Sequence, residues 1–387
     1  NPAWGWKSSL SGSIEKKVIT LRETELLVIG GGPAGLSAAI EAASNGCEVV
    51  VVDSDLALGG QLIKQTHKFF GSESERAGTR GFEIANILLN ELEDMKDKVS
   101  VLTNTTAESY YRDTGIVGCM TNEDDYWCIK PKKIINATGA SEKILPFHNN
   151  DLPGVYGAGA IQTLMNVYGV VPGKRVLMVG AGNIGLVVSY QLLQAGVDVA
   201  AIVEFMPNIS GYWVHAAKVR RLGVPVLLKH TIIEALGTNK VEGAWIQAVD
   251  ENNQLTGEPH KIDCDTICMA VGLSPTVDLL WQAGCEMLYV PELCGYVAKR
   301  DTQMRTSHPD IWAAGDAHGI EEASAAMVEG RIAGLGVAHA LDHIDRMQFG
   351  EKLGVYWKRL DNLRAGSTGE KIRCGVGKCT CKCWEVD

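Results

Sequence analysis

The chain predicts an α/β fold of two Rossmann-like dinucleotide-binding domains, the second inserted in the first, with a cysteine-rich C-terminal tail. Three observations carry this. Two glycine fingerprints of one type stand about 150 residues apart, Gly30-Gly31-Gly32-Pro33-Ala34-Gly35 and Gly180-Ala181-Gly182-Asn183-Ile184-Gly185. Each is followed, one helix later, by an apolar strand ending in an acid, Asp53 or Glu204. A late strand then ends in Gly315-Asp316.

The first fingerprint follows Leu26-Leu27-Val28-Ile29 and opens a helical run over 36–43. Glycine at 30 permits the tight turn, glycine at 32 lets backbone amides approach a pyrophosphate, and glycine at 35 lets helix and strand pack closely. The helix N-terminus then presents its partial positive charge to the phosphates. The strand Glu48-Val49-Val50-Val51-Val52 ends in Asp53, where a carboxylate can accept both ribose hydroxyls. A strand-to-helix turn that binds nothing would need the glycines but not that acid. Next comes Leu58-Gly59-Gly60-Gln61-Leu62, a turn whose glycines let backbone pass close to a flat ring. An amphipathic helix is expected over 79–92 and short strands over 99–129. The strand Lys133-Ile134-Ile135-Asn136-Ala137-Thr138-Gly139-Ala140 then leads the chain out of the first unit.

The second unit repeats the pattern, with a strand over 175–179, its fingerprint, a helix over 186–195, a strand over 199–203 and Glu204. The stretch Asp265 to Gly272 mirrors the Ala-Thr-Gly strand and is expected to return the chain to the first domain. The expected boundaries are a lead over 1–23, a first domain over 24–149 and 262–345, a second over 150–261, and an extension over 346–387.

A chain of 387 residues is long enough for two such domains. A net charge of −10 and the lack of a clustered basic surface argue against a nucleic-acid partner. Every long apolar run is broken by glycine or charge, so no membrane span is expected. No secretory signal is visible, and the expected location is cytoplasmic. Trp4 and Trp6 in the lead are read as packing against their own domain or anchoring to a surface. Seven of the eleven cysteines are scattered through apolar segments, and four crowd the last fourteen residues, a distribution that fits a reducing compartment.

This set of motifs, in this order over roughly residues 24 to 340, resembles the two-dinucleotide-binding flavoprotein superfamily of thioredoxin reductase and glutathione reductase. The resemblance implies FAD on the first unit, held by Gly30, Gly32, Pro33, Ala34, Gly35, Asp53, Gly60, Gln61, Thr138, Gly139, Gly315, Asp316 and Ala325. It implies NAD(H) or NADP(H) on the second, at Gly180, Gly182, Asn183, Ile184, Gly185 and Glu204. Few residues follow Asp316, so the layout is that of thioredoxin reductase. The stretch Gly157-Ala158-Gly159-Ala160-Ile161-Gln162, where that enzyme would carry C-x-x-C, contains no sulfur. Neither does Gln61 to His67, the corresponding place in glutathione reductase. Thiol–disulfide turnover at the flavin is therefore not expected. The segments Gly59-Gly60-Gln61, 154–164, Gly211-Tyr212-Trp213 and 221–225 are more similar to a branch of heteromeric flavin dehydrogenases. That branch comprises the larger subunits of opine and proline or hydroxyproline dehydrogenases and the B subunit of hydrogen cyanide synthase. In it a separate flavoprotein subunit oxidises the amine, so a hetero-oligomer acting on an amino acid or amine is implied.

Glu204 favours free ribose hydroxyls over a 2′-phosphate, hence NAD(H), while Lys218, Arg220 and Arg221 leave NADP(H) open. A structural adenine nucleotide is the alternative. Around the ring, the run Ser324 to Gly330 reads as a helix whose N-terminus would stabilise a reduced flavin. Gln61, Lys64 and His67 are the catalytic candidates, each also readable as an ordinary loop or helix residue; so is His318. The tail offers Cys374, Cys379, Cys381 and Cys383 as metal ligands. An iron–sulfur cluster, which would give FAD a one-electron exit, is the preferred reading over zinc or free thiols, although the spacing matches no complete motif. The sequence thus points to an FAD-dependent oxidoreductase subunit that relays electrons between a partner flavoprotein and an acceptor. A self-sufficient NAD(P)H:acceptor oxidoreductase and a nucleotide-binding scaffold are the alternatives.

Overall fold

A computed structural model describes residues 20–69, 71–122 and 125–381. Trp4, Trp6 and Cys383 lie outside them. The chain opens with β1 (Leu21–Ile29), α1 (Pro33–Ser44) and β2 (Val49–Val52). Helix α2 (Gly81–Glu93) leads to β3 (Val99–Leu102), and β4 (Thr105–Tyr111), β5 (Ile116–Thr121) and β6 (Asp125–Asn136) form an antiparallel run. The sheet order is β3-β2-β1-β6-β5-β4. All four valines of β2 are buried, as expected of a parallel strand covered on both faces. Because Ile29 lies opposite both Val52 and Asn136, the carboxyl ends of three strands are level and open one crevice.

The short β7 (Ala140–Glu142) carries the chain across to β8 (Val155–Gly157), α3 (Ala158–Gln162) and a π-helical turn, Thr163–Val167. Then come β9 (Arg175–Val179), α4 (Asn183–Gln194), β10 (Asp198–Glu204), α5 (Trp213–Arg221) and β11 (Val226–Leu228). A three-stranded antiparallel layer follows: β12 (His230–Leu236), β13 (Gly243–Val249) and β14 (Leu255–Ile262). The strand β15 (Thr266–Met269) closes the second sheet, whose order is β11-β10-β9-β15-β8. This corrects the expectation that the segment after 261 already belongs to the first unit. β15 must stay beside β9, because the carbonyl of Ala270 abuts Gly180 at the mouth of the second fingerprint. The return begins at β16 (Leu273–Pro275), which pairs antiparallel with β7, so the two crossing segments form one ribbon.

After α6 (Asp278–Ala283) and the hairpin β17 (Met287–Val290)–β18 (Gly295–Ala298), strand β19 (Ile311–Ala313) joins the first sheet parallel to β6. Helix α7 (Ala323–Ala340) then lies on α1. The contact is so close that a Cβ at Gly330 or Gly334 would fall 2.1 or 2.3 Å from the carbonyl oxygens of Ala34 and Ala38.

The C-terminal extension is largely helical: α8 (Arg346–Leu363) and α9 (Gly366–Cys379). Asp345 caps α8 by accepting the Gln348 N–H at 2.9 Å. Arg359 grips Glu75 in a bidentate pair at 2.7 and 2.8 Å, and Tyr356 donates to Glu41 at 2.6 Å. Among the described residues no helix is long and apolar enough to cross a membrane.

Candidate functional site: two dinucleotide cradles

The two fingerprints fold into nearly the same local object. Gly30 has φ +103° and Gly180 has φ +108°, a region that side chains rarely adopt, and a Cβ at either would stand 2.3 Å from the carbonyl oxygen of Ala137 or Ala270. Gly35 and Gly185 let α1 and α4 approach the turn, since a Cβ there would meet the Gly30 or Gly180 oxygen at 1.8 or 2.1 Å. The middle glycines differ in kind. In front of Gly32 the nearest heavy atom is 3.9 Å away, and in front of Gly182 it is 3.7 Å away. Four glycines are thus required by the fold, and two leave room for a ligand.

The acids behave alike too. Asp53 Oδ2 accepts the Gly31 N–H at 2.5 Å and Oδ1 the Asp55 N–H at 2.8 Å. Glu204 Oε2 accepts the Ala181 N–H at 2.7 Å and Oε1 the Met206 N–H at 2.8 Å. Each carboxylate is thereby fixed beside its fingerprint, at the end of the second strand. Burial pushes the Asp53 pKa up although the Asp55 and Gly31 amides pull it down.

Around the first cradle the remaining site residues converge from distant sequence. Pro33 is the first residue of α1, where its missing N–H costs nothing. Gly60 passes over Gly32 so closely that a Cβ would lie 2.8 Å from its Cα. Thr138 donates to the Thr276 carbonyl at 2.7 Å, and Gly139 accepts the Thr276 N–H at 3.0 Å, which ties the Ala-Thr-Gly turn to the returning strand. Gly315 sits over Ala34, and Ala325 lies buried in the first turn of α7. The partly covered Asp316 accepts the Glu321 N–H at 3.2 Å. Desolvation, with Glu329 and Glu321 nearby, raises its pKa to about 7. A half-buried carboxyl with a raised pKa would suit a ligand's hydroxyl groups, and the open space in front of Gly32 would suit a pyrophosphate, so these residues fit FAD.

Beneath this turn lies a buried charge network that the sequence did not disclose. Glu329 receives Arg300, Arg364 at 2.6 Å and the Gly315 N–H at 3.0 Å. Arg364, from the end of α8, also grips Glu321 through 3.0, 3.0 and 2.6 Å contacts. Burial alone would raise the Glu329 pKa, but the two guanidinium groups hold it well below the usual carboxylate range. The Gly-Asp turn is thus held from below by the C-terminal extension. The only advance signals were single arginines and glutamates with no spacing rule.

Of the catalytic candidates, Gln61 is exposed and Lys64 half-buried, its carbonyl accepting the Asn166 amide at 2.7 Å. His67 stacks on Phe69 with ring centres 5.3 Å apart and meets His215 of the second unit edge-on at 6.1 Å. Burial, then His215 and Lys218, lower its pKa to about 4, so it is neutral near pH 7. His67 is therefore an interface residue between units as well as a loop residue. His318 is buried, and its Nε2 lies 2.8 Å from the Ala298 carbonyl and 3.7 Å from Cys379 Sγ, a structural setting.

The tail departs from expectation. Cys374 and Cys379 are five residues apart on α9, so their directions differ by about 140° around the axis. The first is exposed and the second buried. Cys381 is disulfide-bonded and pairs through its N–H with the Arg300 carbonyl at 2.8 Å. Among the described residues no three metal-ligating side chains converge. The expected turns are instead a helix, which separates the first two thiols; Cys383, on which the same expectation rested, lies outside the described residues. As folded, the exposed Cys374 and the buried Cys379 do not fit one shared coordination sphere.

Two dinucleotide cradles in one chain, the first completed by a strand–Gly–Asp turn from beyond the second, define a two-dinucleotide flavin oxidoreductase. Residues 24–330 match the pyridine nucleotide-disulphide oxidoreductase family, and the chain belongs to it: it is an FAD-dependent oxidoreductase. The family implies FAD and a pyridine nucleotide. The alpha subunit of sarcosine oxidase from Rhizobium meliloti is 31% identical over 71% of this chain and 27% of its own length. The A subunit of opine oxidase from Agrobacterium tumefaciens is 27% identical over 80% of this chain and 64% of its own length. The chain therefore spans between about a quarter and two thirds of these relatives. Among solved structures, L-proline dehydrogenase from P. horikoshii shares the fold, with a TM-score of 0.67 at 23% identity over 87% of this chain and 59% of its own.

Proposed function

We propose that this chain is the electron-relay subunit of a heteromeric amino-acid or amine dehydrogenase, with FAD in the first cradle and an NAD-type nucleotide in the second. The observation that carries the reading is two complete cradles with no dithiol between them. Where a disulfide reductase would place its cysteine pair, this chain buries Gln162 among other amides. Electrons reaching the flavin must then leave through another molecule. The relatives are named as the alpha subunit of a sarcosine oxidase and the A subunit of an opine oxidase, which favours a flavoprotein partner that oxidises the amine.

When bound, FAD supplies the two-electron chemistry, and the protein binds, orients and tunes it. Gly30, Gly32 and Gly35 with the N-terminus of α1 would hold the pyrophosphate, Asp53 the adenosine ribose, Asp316 the ribityl chain, and Gly60, Thr138, Gly139 and Ala325 the ring surroundings. Gly180, Gly182, Asn183, Ile184, Gly185 and Glu204 would hold the second nucleotide, with Glu204 selecting a free 2′-hydroxyl. No electron step is assigned to the cysteine tail or to a cluster there.

Anaerobic stopped-flow mixing separates this reading from a self-sufficient NADH:acceptor oxidoreductase. The flavin of the relay should bleach only when the partner flavoprotein and a secondary amine are both present. Rapid bleaching by NADH alone, with turnover that needs no partner, would overturn it.

A further inference from the structure

The two units meet across a buried ring of amides drawn from both. Gln65 and Gln162 exchange hydrogen bonds at 3.2 Å in each direction, Gln162 also donates to Gln191 at 2.9 Å, and Gln191 donates to Thr66 at 2.8 Å. All three glutamines are buried. Gln65 and Thr66 follow the Gly59-Gly60 turn of the first cradle, whereas Gln191 lies on α4, the helix that the second fingerprint opens. Buried amides that satisfy one another specify a single arrangement of the elements that carry them.

Three further contacts agree with that arrangement. The π-helical turn after α3 brings Asn166 onto the Lys64 carbonyl at 2.7 Å, and such turns are frequent at functional sites. Glu142 of the crossing ribbon accepts the Gly159 N–H at 2.7 Å, in a space that a Cβ at Gly157 would fill. At the rim, Tyr212 has its N–H on Asn183 Oδ1 at 2.7 Å, and its hydroxyl donates to Glu322 at 2.5 Å. Asn183 begins α4 and Glu322 is the N-cap residue of α7, so one residue, through its backbone N–H and its hydroxyl, bridges the mouths of both cradles.

We propose that Gln162, with Gln65, Gln191 and Thr66, is a positioning lock that holds the two nucleotide units in one fixed relation throughout turnover, with Tyr212 as its outer latch. The chemistry gives the reason. Where a nucleotide and a dithiol must reach the same face of a flavin, motion between units is needed to make room for each in turn. A chain without that dithiol has no such alternation, and a lock costs it nothing. The inference rests on the reading that both cradles hold nucleotides, but the test has an arm independent of it.

Small-angle X-ray scattering of the flavin-loaded chain is recorded with and without saturating NADH, for the natural sequence and for Gln162→Met, which keeps the length and removes the amide. The lock predicts that the natural chain scatters identically in both conditions and that the variant becomes more expanded. It also predicts that any flavin reduction by NADH slows at least tenfold in the variant while the NADH dissociation constant changes less than twofold. If Gln162→Met does not fold, Tyr212→Phe is read the same way, with a smaller expansion. Rearrangement of the natural chain on adding NADH overturns the lock, as does a folded Gln162→Met with unaltered scattering. Absence of any NADH reaction in the natural chain is what the relay reading expects, and the scattering arm then decides the lock by itself.

Discussion

The first and second cradles share their turns, their glycine contacts and their acids, yet they are enclosed differently. Over the first, Gly60 closes from one side, α7 from another, and Asp316 stands on a turn held by Glu329, Arg300 and Arg364. Around the second, Phe205, Met206 and Trp213 are 41%, 54% and 68% exposed. Their first helical residues differ as well: Pro33 has no N–H to offer, whereas Asn183 recruits Tyr212 from the neighbouring loop. One local motif can thus be set in a deep, charge-supported crevice or at an open rim. This contrast suits a retained cofactor in the first and an exchangeable nucleotide in the second.

The sharpest way to break the comparison is to damage each turn identically. Gly30→Ala and Gly180→Ala each force a side chain into a positive-φ position and against a carbonyl oxygen at 2.3 Å. Each should cost roughly 2–6 kcal/mol, the sum of backbone strain and overpacking. By thermal unfolding the losses should be similar, but Gly30→Ala should purify colourless, and Gly180→Ala should keep its flavin and lose nucleotide binding at the second site. Equal loss of flavin in both would contradict the division of roles.

A second, smaller effect belongs to the first cradle alone. With its pKa raised to about 7 in the folded chain, Asp316 holds its proton where the unfolded chain has lost it. Its stabilising contribution is therefore full below about pH 4 and declines as pH rises through 7. After discounting for partial exposure, flavin-free protein should lose roughly 2–3 kcal/mol across that window relative to Asp316→Asn. Urea unfolding at pH 4 and pH 8 measures this, and parallel pH profiles of the two proteins would refute it.

The smallest effect sharpens the second cradle. Glu204→Ser removes the acceptor for the Ala181 and Met206 amides as well as for a ribose. A loss of roughly 1–2 kcal/mol, about tenfold in NADH affinity, is expected by calorimetry, with FAD content unaffected. Unchanged NADH binding would remove Glu204 from the site.

Much of the first two layers of this architecture was legible in the chain. The fingerprints, both acids and the Gly-Asp strand are local patterns, since a strand, a turn and a helix N-terminus are set within a dozen residues. The helix expected over 79–92 is α2, and the strand expected over 175–179 is β9. Beyond such local patterns the reading weakened. The membership of β15 depends on which strand lies beside it, a question of pairing over ninety residues. The tail, rich in glycine and expected to turn, became α9 because Ile372, Val376 and Cys379 find an apolar surface at Leu293 and Val297. That burial overrides the weak helix preference of its four glycines.

The sequence by itself determined the two phosphate-facing turns and their acids, because each needs only neighbours in the chain and a glycine where a Cβ would clash. Only the tertiary structure decided what encloses them: the Arg300–Glu329–Arg364 network, the amide ring at Gln162 and the Tyr212 bridge. Those groups satisfy one another across 29 to 125 residues of chain, and hydrogen bonding between groups that far apart leaves no period or motif to read.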